Sequence, residues 1–386
     1  MEKLPGYDKK SIVIAHLQDV LAFPPVINLT EILLSHGHTV YFVGYNVNKM
    51  PIEILNDPDF VYTDIPLVCG KGIKKKFKRG IERIIIARKA VEGYMKKAEY
   101  LWTTTDLSCR SLGKILFKYR HIMQLMELNL WYPYIQGLKY PKFPIDEYGR
   151  RAWKMVEPEQ NRAYIHKVIW KLPKTPYVLP NKNYKIDPGE IINEIKPALQ
   201  KMKNEERKII FYLGILIKER NFVPFMDAIE KMKDEYCFYI AGPVSCDSRE
   251  YYQKLFKKYE ATKYLGLFPA PKHLHLLKYA YIGLLPYQPG NSTRPYISEL
   301  NALYCAPNKI FEYSGYGIPM IGTDVIALKQ PFEKYDMGLC IKDFSSDEII
   351  KAIKNIENRY DKMARNCKRY YQDINLDNLL EDILKD

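Results

Sequence analysis

The sequence contains no run of about 18 apolar residues, which is the length that a transmembrane helix needs, and no internal repeat at the periods of solenoid proteins. Residues 1–10 are polar and charged, and no apolar segment of signal-peptide length follows them. We therefore expect a cytoplasmic protein that contacts a membrane only peripherally, at the inner face of the cell membrane.

Cysteine is scarce, and its spacing argues against two kinds of structural site. The seven cysteines are odd in number and show neither a C-x-x-C pattern nor the Cys/His spacing of a zinc site. We expect free thiols, with neither disulfides nor a bound metal ion.

Acidic residues are few relative to basic ones, and the formal net charge is +14. Residues 1–180 hold 28 Lys or Arg against 17 Asp or Glu, so the first half carries most of the excess. Much of it falls between residues 71 and 89, where basic residues alternate with apolar ones at helical spacing. Two interpretations stay open for this segment: a solvated helix with a core stripe, or a surface over residues 71–97 that docks on an anionic membrane.

The length and composition favour two α/β domains. The chain has 386 residues, of which 47% are hydrophobic and 27% charged, as in globular proteins. A β-rich run at 11–16, a helical pattern at 26–37 and a strand at 39–43 predict a βαβ unit with a parallel sheet. Ligands bind such sheets at the carboxyl ends of the strands, which places the loop of residues 16–25 at a binding site.

Residues 306–324 are the most informative stretch, because they predict a loop, a short helix and a strand. Pro307 suits the start of the helix, and Gly315 and Gly317 are expected to end it after about two turns. The free N–H groups and the dipole at the start of such a helix form an anion site.

Lys309 and Glu312 lie three residues apart in this helix and therefore share a face. A cation near the helix start suits a diphosphate, and a carboxylate one turn further on can accept hydrogen bonds from a ribose diol. An ordinary surface Lys–Glu pair is the competing interpretation.

This stretch resembles the C-terminal signature of retaining glycosyltransferases of family 4, particularly the bacterial polysaccharide and capsule branch. The shared pattern is Pro-Asn-Lys, two residues, Glu-Tyr, and then Gly-x-Pro before a strand. The resemblance extends over most of the chain, and its other segments are residues 162–164, 176–181, 209–214, 218–221, 237–242, 264–269 and 280–286. Two positions depart from the family pattern: Tyr304 stands where many members have a second glutamate, and Ile215 where an arginine often follows the glycine.

The resemblance implies the GT-B fold, in which two Rossmann-like α/β domains face each other across a cleft. The implied domains are residues 1–185 for the acceptor and 186–365 for the nucleotide-sugar donor, with a hinge within residues 182–204. A C-terminal helix over residues 366–386 is expected to cross back to the first domain.

The implied activity is the metal-independent transfer of a sugar, with retention of configuration, from a UDP- or GDP-sugar to a hydroxyl of a glycan or a lipid-linked acceptor. No cofactor is implied. Arg220 and Lys309 would neutralise the diphosphate, and Glu312 would bind the ribose. The other donor-site residues that the resemblance implies are Gly214, Gly242, Phe268, Pro269, Tyr304 and Asn308.

The acceptor candidates lie in the first half. Asp106 and Glu127 follow predicted strands, so either could bind an acceptor hydroxyl or help to deprotonate it. The competing interpretations are a helix cap for Asp106 and a loop salt bridge for Glu127. His16, at the end of the first strand, and Phe23 and Pro24, in the loop that follows, are further acceptor-side candidates, and a structural role is the competing interpretation for His16.

Three alternatives to a transferase stay open. The charge suits a nucleic-acid-binding protein, but no recognised binding motif accompanies it, so we expect no nucleic-acid partner. Two further alternatives remain because Tyr304 replaces a glutamate. One is a membrane-binding GT-B scaffold without transferase activity, and the other is a nucleotide-sugar epimerase of the same architecture.

Overall fold

The structure is a computed structural model that describes residues 3, 6–66, 73–135, 138–218, 220–289, 296 and 298–385, without the side chains of 73–78. It divides into two compact units. The first consists of residues 1–180, the stretch around Tyr296 and residues 376–386, and the second of residues 181–293 and 299–375. The predicted domain boundaries at residues 185 and 365 stay predictions.

The first unit is built on a parallel sheet of seven strands in the order β3-β2-β1-β4-β5-β8-β9. Its strands are β1 (Ser11–Asp19), β2 (Thr39–Tyr45), β3 (Phe60–Asp64), β4 (Tyr100–Thr103), β5 (Arg120–Gln124), β8 (Lys154–Glu157) and β9 (Tyr177–Val178), and a separate antiparallel pair is formed by β6 (Tyr132–Pro133) and β7 (Lys142–Phe143). Ile12, Val13, Ile14 and Ala15 are all fully buried, because helices cover both faces of a parallel sheet.

The helices of the first unit connect these strands. They are α1 (Pro24–Ser35), α2 (Ile52–Leu55), α3 (Ile73–Tyr94), α4 (Asp106–Leu112), α5 (Ile145–Arg151), α6 (Gln160–Ile169) and, from the end of the chain, α15 (Leu376–Leu384). The helix α15 is joined to this unit by a 2.7 Å contact between His36 Nε2 and Asp377 Oδ1, and Lys154 Nζ donates to the Ile383 carbonyl at 2.8 Å.

The second unit repeats the architecture with six parallel strands in the order β12-β11-β10-β13-β14-β15. Its strands are β10 (Lys208–Leu213), β11 (Tyr236–Ala241), β12 (Thr262–Gly266), β13 (Ile282–Leu285), β14 (Met320–Thr323) and β15 (Gly338–Ile341). Its helices are α7 (Lys196–Lys203), α8 (Val223–Lys231), α9 (Arg249–Lys258), α10 (Leu300–Leu303), α11 (Asn308–Tyr316), α12 (Ile326–Tyr335), α13 (Ser346–Asn358) and α14 (Tyr360–Asp373), with a 3₁₀ helix at Lys272–Tyr279.

Several predicted elements differ from the observed ones. The first strand runs on to Asp19, and α1 begins at Pro24 because proline suits the first position of a helix. Residues 196–203, expected to belong to a polar hinge, form α7. The single predicted C-terminal helix is two helices, since Ile374 takes an extended conformation between α14 and α15.

Candidate active site

The loops that follow β10 and β11 meet backbone to backbone at two glycines. Gly214 and Gly242 have φ angles of 148° and 138°, and a Cβ atom on Gly242 would lie 2.1 Å from the Gly214 carbonyl oxygen. The Tyr264 hydroxyl donates to the Gly242 carbonyl at 2.8 Å and holds the second loop. This part of the carboxyl edge of the sheet therefore presents backbone, which allows a ligand to approach closely.

The side chain of Lys309 lies directly over Gly214. A Cβ atom built on Gly214 would come within 2.7 Å of Lys309 Cε and 2.9 Å of its Nζ. The ammonium group donates to the Tyr287 hydroxyl at 3.2 Å. Burial lowers the pKa of Lys309, and the nearby Arg220 guanidinium lowers it further, so the site already disfavours positive charge without an anion.

Arg220 reaches the same place from the loop before α8. Its guanidinium donates to the Tyr212 hydroxyl and lies 5.1 Å from the centre of the Tyr287 ring. Lys309 Nζ lies 5.7 Å from the centres of both tyrosine rings, so the two cations share two aromatic neighbours. Neither cation has a carboxylate within 4.0 Å among the residues that the structure describes. Sequence reasoning missed Tyr212 and Tyr287, because tyrosine is abundant throughout this chain.

The helix α11 carries Lys309 in its first turn. Pro307 precedes it in an extended conformation, and none of the side chains that the structure describes caps its first N–H groups. The helix ends at Gly317, whose φ of 71° is left-handed, whereas Gly315, also expected to end it, lies inside it. The buried face of Ile310, Phe311, Tyr313 and Ser314 packs on the core and orients the helix.

Glu312 lies one turn beyond Lys309, and its side chain is only 5% exposed. His273 Nε2 lies 3.5 Å from Glu312 Oε1. The backbone N–H of His273 donates to the Pro269 carbonyl at 3.1 Å, which places the 268–269 loop beside the same carboxylate. Sequence reasoning missed His273, because it lies 39 positions before Glu312 and only the fold brings the two together.

The remaining donor candidates belong to the second unit. Phe268 is half-buried against the core, and Pro269 is exposed. Asn308 is the first residue of α11, and Tyr304 is half-buried at the end of α10. The structure thus brings Gly214, Gly242, Arg220 and Lys309 into contact range, with Glu312 on the same helix as Lys309; their roles stay predictions.

In the first unit, Asp106 is 5% exposed and follows β4. Burial raises the pKa of its carboxyl group to about 7, although the amide of Asn129 donates to its Oδ2 at 3.1 Å and opposes this shift. Thr105, whose hydroxyl accepts from the Ser108 N–H at 3.2 Å, is the residue that caps α4. The capping interpretation therefore applies to Thr105 rather than to Asp106.

The other acceptor candidates differ in their surroundings. His16 is fully buried, its Nδ1 lies 2.8 Å from Thr104 Oγ1, and its ring packs edge-on against Phe23. Burial lowers the pKa of His16 to about 3, so the ring is neutral at physiological pH. Pro24 is half-buried as the first residue of α1, and Glu127 is exposed just after β5.

The chain contains one Asp-x-Asp sequence, at Asp57 and Asp59. These residues precede β3, at the edge of the first sheet opposite to the candidate acceptor residues. Lys3 Nζ lies 3.0 Å from Asp57 Oδ1, and Lys9 Nζ lies 2.7 Å from Asp59 Oδ1. These carboxylates serve as ion-pair partners for lysines. Among the described residues, no group of three or more His, Cys, Asp or Glu side chains could hold a metal ion.

The basic segment lies only partly within the described residues, since residues 67–72 and the side chains of 73–78 fall outside them. In the described part of α3, Ala87 and Val91 are buried, whereas Ile81 and Ile85 are 45% and 46% exposed. These two isoleucines therefore do not belong to a core stripe. Across the described parts of the chain, no helix combines the length and apolar character that crossing a bilayer requires.

No protein-family model matches the chain, and no curated protein is similar to it in sequence. Solved structures resemble it over nearly its whole length. A glycosyltransferase from Rickettsia africae has a TM-score of 0.67 at 11% identity and covers 98% of this chain and 97% of its own. HepE from Anabaena in complex with UDP has a TM-score of 0.66 at 11% identity, with coverage of 97% and 98%. A putative UDP-N-acetylglucosamine 2-epimerase from Listeria monocytogenes has a TM-score of 0.61 at 14% identity, with coverage of 98% and 95%. The chain therefore has the GT-B fold, with two Rossmann-like domains, and this prediction is confirmed.

Proposed function

We propose that this protein is a retaining glycosyltransferase of the family 4 type, which transfers a sugar from a nucleotide-sugar donor to a hydroxyl of a glycan or lipid-linked acceptor. The observation that carries the proposal is the position of the Lys309 ammonium over Gly214, beside the Arg220 guanidinium. Two adjacent cations that contact no carboxylate among the described residues, next to backbone at two glycines and a helix start, suit a diphosphate.

In this proposal the second unit stabilises the leaving group. As the bond between the anomeric carbon and the phosphate oxygen breaks, its electron pair stays on the nucleoside diphosphate. Lys309 and Arg220 are held by contacts with tyrosines, and Lys309 lies in the first turn of α11, so these cations and the first N–H groups of the helix would stabilise this charge without reorganising. The acceptor oxygen bonds to the anomeric carbon on the same face, and its proton passes to the departing phosphate.

Glu312 would bind the ribose hydroxyls of the donor. Its carboxylate is almost completely buried, one helical turn from the cation that would contact the diphosphate. His273 limits the orientations of this carboxylate from the other side. HepE has been crystallised with UDP and with UDP-glucose, which makes UDP-sugars the first donors to test on this chain.

We also propose a peripheral association of the enzyme with anionic lipid at the cytoplasmic membrane face. Ile81, Ile85 and Ile86 are 45%, 46% and 43% exposed on α3, a helix whose sequence is rich in Lys and Arg. Exposed apolar side chains on a basic helix favour the interface of an anionic bilayer. Ile85→Ser should reduce co-sedimentation of the protein with phosphatidylglycerol vesicles. If the protein binds RNA as tightly as it binds these vesicles, a nucleic-acid partner is favoured instead.

The donor site is tested by thermal shift with UDP, GDP, ADP and CMP. We expect one nucleoside diphosphate to raise the melting temperature, and Lys309→Ala to weaken its binding by a factor of about 10 to 100, as for the loss of a charge-assisted hydrogen bond. Lys329→Ala is the matched control, because Lys329 is 40% exposed and contacts Asp324 and Glu333 instead. Equal shifts in the wild type and Lys309→Ala would refute the site.

The epimerase alternative is tested with the same protein. The fold is shared with the putative Listeria epimerase, so the products must decide. Incubation with a UDP-sugar followed by proton NMR distinguishes a new nucleotide sugar from a glycoside with retained anomeric configuration plus free UDP. Formation of an epimeric UDP-sugar would overturn the transferase proposal.

A further inference from the structure

Four polar side chains from four elements of the first unit form a buried cluster. They are Asp106 at the start of α4, Asn129 after β5, Glu157 at the end of β8 and His166 in α6, and each is at most 5% exposed. Because β4, β5 and β8 are neighbours, these residues lie together at the carboxyl edge of the sheet. Sequence analysis identified only Asp106 among them.

Hydrogen bonds connect the four residues in one chain. Asn129 Nδ2 donates to Asp106 Oδ2 at 3.1 Å, the ring Nε2 of His166 lies 3.3 Å from the Asn129 carbonyl, and its Nδ1 lies 2.6 Å from Glu157 Oε1. A carbonyl can only accept, so Nε2 carries a hydrogen. Burial alone would lower the pKa of His166, but the Glu157 carboxylate holds it above its usual value. The His166–Glu157 pair therefore anchors the backbone of Asn129, and Asn129 orients the carboxyl group of Asp106.

Three oxygens of this cluster have no hydrogen-bond partner among the described residues: Asp106 Oδ1, Asn129 Oδ1 and Glu157 Oε2. A buried acceptor without a donor costs about 1–3 kcal/mol, so the cluster is suited to a ligand that supplies hydrogens. Sugar hydroxyls are such donors.

We propose that Asp106 and Asn129 bind hydroxyl groups of the acceptor, with Asp106 Oδ1 and Asn129 Oδ1 accepting their hydrogens and the His166–Glu157 pair positioning Asn129. This inference rests on the proposed function and names the acceptor side of it. Asp106 is a binding residue that orients the acceptor oxygen, whereas His166 and Glu157 are positioning residues. The binding step needs no bond to break, and the hydroxyl proton leaves only in the transfer itself.

The protonation of Asp106 gives the inference a signature that a purely structural role lacks. A hydroxyl donates best to the ionised carboxylate, and the pKa of Asp106 is about 7. Charged or titratable groups near it are Cys109 on its own helix, Glu157 on β8, and His166 and Arg162 on α6. Binding of the acceptor should weaken as the pH falls through about 7.

The test is saturation-transfer NMR on the full-length protein with a panel of methyl glycosides of glucose, galactose, mannose and N-acetylglucosamine. We expect at least one to bind, with a Kd that rises by a factor of about 10 between pH values of about 8 and about 6, in proportion to the ionised fraction. Asp106→Asn should weaken binding about tenfold at the higher pH and abolish this pH dependence. Asn129→Ala should weaken binding and move the midpoint to higher pH, since it removes a donor to the carboxylate.

Asp146→Asn is the matched control, because Asp146 is 42% exposed on α5 and pairs with Arg150. The inference is overturned if no glycoside binds, or if Asp106→Asn binds with the wild-type Kd and pH dependence. Either result leaves the donor site standing when UDP still stabilises the protein, so failure here is distinct from failure of the proposed function. Circular dichroism of each variant confirms that it is folded.

Discussion

The ammonium group of Lys309 occupies the space that a Cβ atom on Gly214 would need, 2.9 Å from that position. Gly214 also has a φ of 148°, which only glycine adopts without strain. The glycine that follows β10 and the lysine in the first turn of α11 therefore depend on each other.

Gly214→Ala should displace Lys309 and weaken the binding of the preferred nucleoside diphosphate about tenfold or more. Titration calorimetry measures the effect. Gly37→Ala is the control, because Gly37 also has a positive φ of 79° but nothing lies within 4 Å of its Cβ position. If both variants bind as the wild type does, the lysine does not contact the diphosphate.

Lys309→Ala and Glu312→Ala should weaken the binding of different ligands. If Lys309 contacts the diphosphate and Glu312 the ribose, Lys309→Ala weakens the binding of both UDP and inorganic pyrophosphate. Glu312→Ala then weakens the binding of UDP only. The expected loss is a factor of about 10 in each affected case, which corresponds to one charge-assisted hydrogen bond. A loss of pyrophosphate binding in Glu312→Ala would contradict this division. Glu333→Ala, 69% exposed, serves as the control.

Asp106→Asn should stabilise the protein at neutral and higher pH. The pKa of Asp106 is raised from its unfolded value of 3.8 to about 7, so the folded state retains a proton that the unfolded state has lost. Stability therefore falls as the pH rises from about 4 to about 7, by about 1.4 kcal/mol per pH unit. Urea unfolding should show a difference in free energy between variant and wild type that grows by about 4 kcal/mol across this window. Parallel curves for the two proteins would contradict the buried, protonated state.

His121→Gln should make the protein less sensitive to acid. His121 is 2% exposed with its Nε2 2.7 Å from Thr103 Oγ1, and burial lowers its pKa to about 3. Between about pH 6.5 and about pH 3 the unfolded state binds a proton that the folded state excludes, so stability is lost as the pH falls. Relative to the wild type, the variant should gain about 3 kcal/mol of unfolding free energy between pH values of about 6.5 and about 4.5. If the difference in unfolding free energy between the variant and the wild type does not change over this range, His121 is protonated in the folded state.

Tyr313→Phe should destabilise the second unit by about 2 kcal/mol. The buried Tyr313 hydroxyl accepts from the Leu213 N–H at 3.1 Å and donates to the Phe211 carbonyl at 3.3 Å, at the end of β10. Without the hydroxyl, both backbone groups lose this hydrogen bond in a buried place. Tyr164→Phe, at a residue that is 54% exposed, should change the free energy of unfolding by less than about 0.5 kcal/mol.

Local patterns predicted much of the fold. The apolar runs of β1, β10 and β11 are long enough and rich enough in β-formers to be recognised, because parallel strands are buried on both faces. Sequence patterns gave wrong predictions where burial determines whether a segment forms a helix. Ile374 interrupts the C-terminal helix, and α7 lies in a segment whose polar residues predicted a linker.

The sequence by itself determined the first βαβ unit, over residues 11–43, and the start of a helix at residues 307–309. Spacing of three residues places Lys309 and Glu312 on one helix face wherever that helix lies. These properties are local, so they can be read from neighbouring residues.

Only the tertiary structure decided which distant residues share a site. Tyr212 contacts Arg220, Tyr287 contacts Lys309, His273 faces Glu312, and Asn129 reaches Asp106. The members of these pairs lie between 8 and 39 positions apart in the sequence. Such contacts depend on which strands become neighbours and on how completely water is excluded, and no short-range pattern encodes either one. The raised pKa of Asp106 arises in the same way, from burial that exists only in the folded chain.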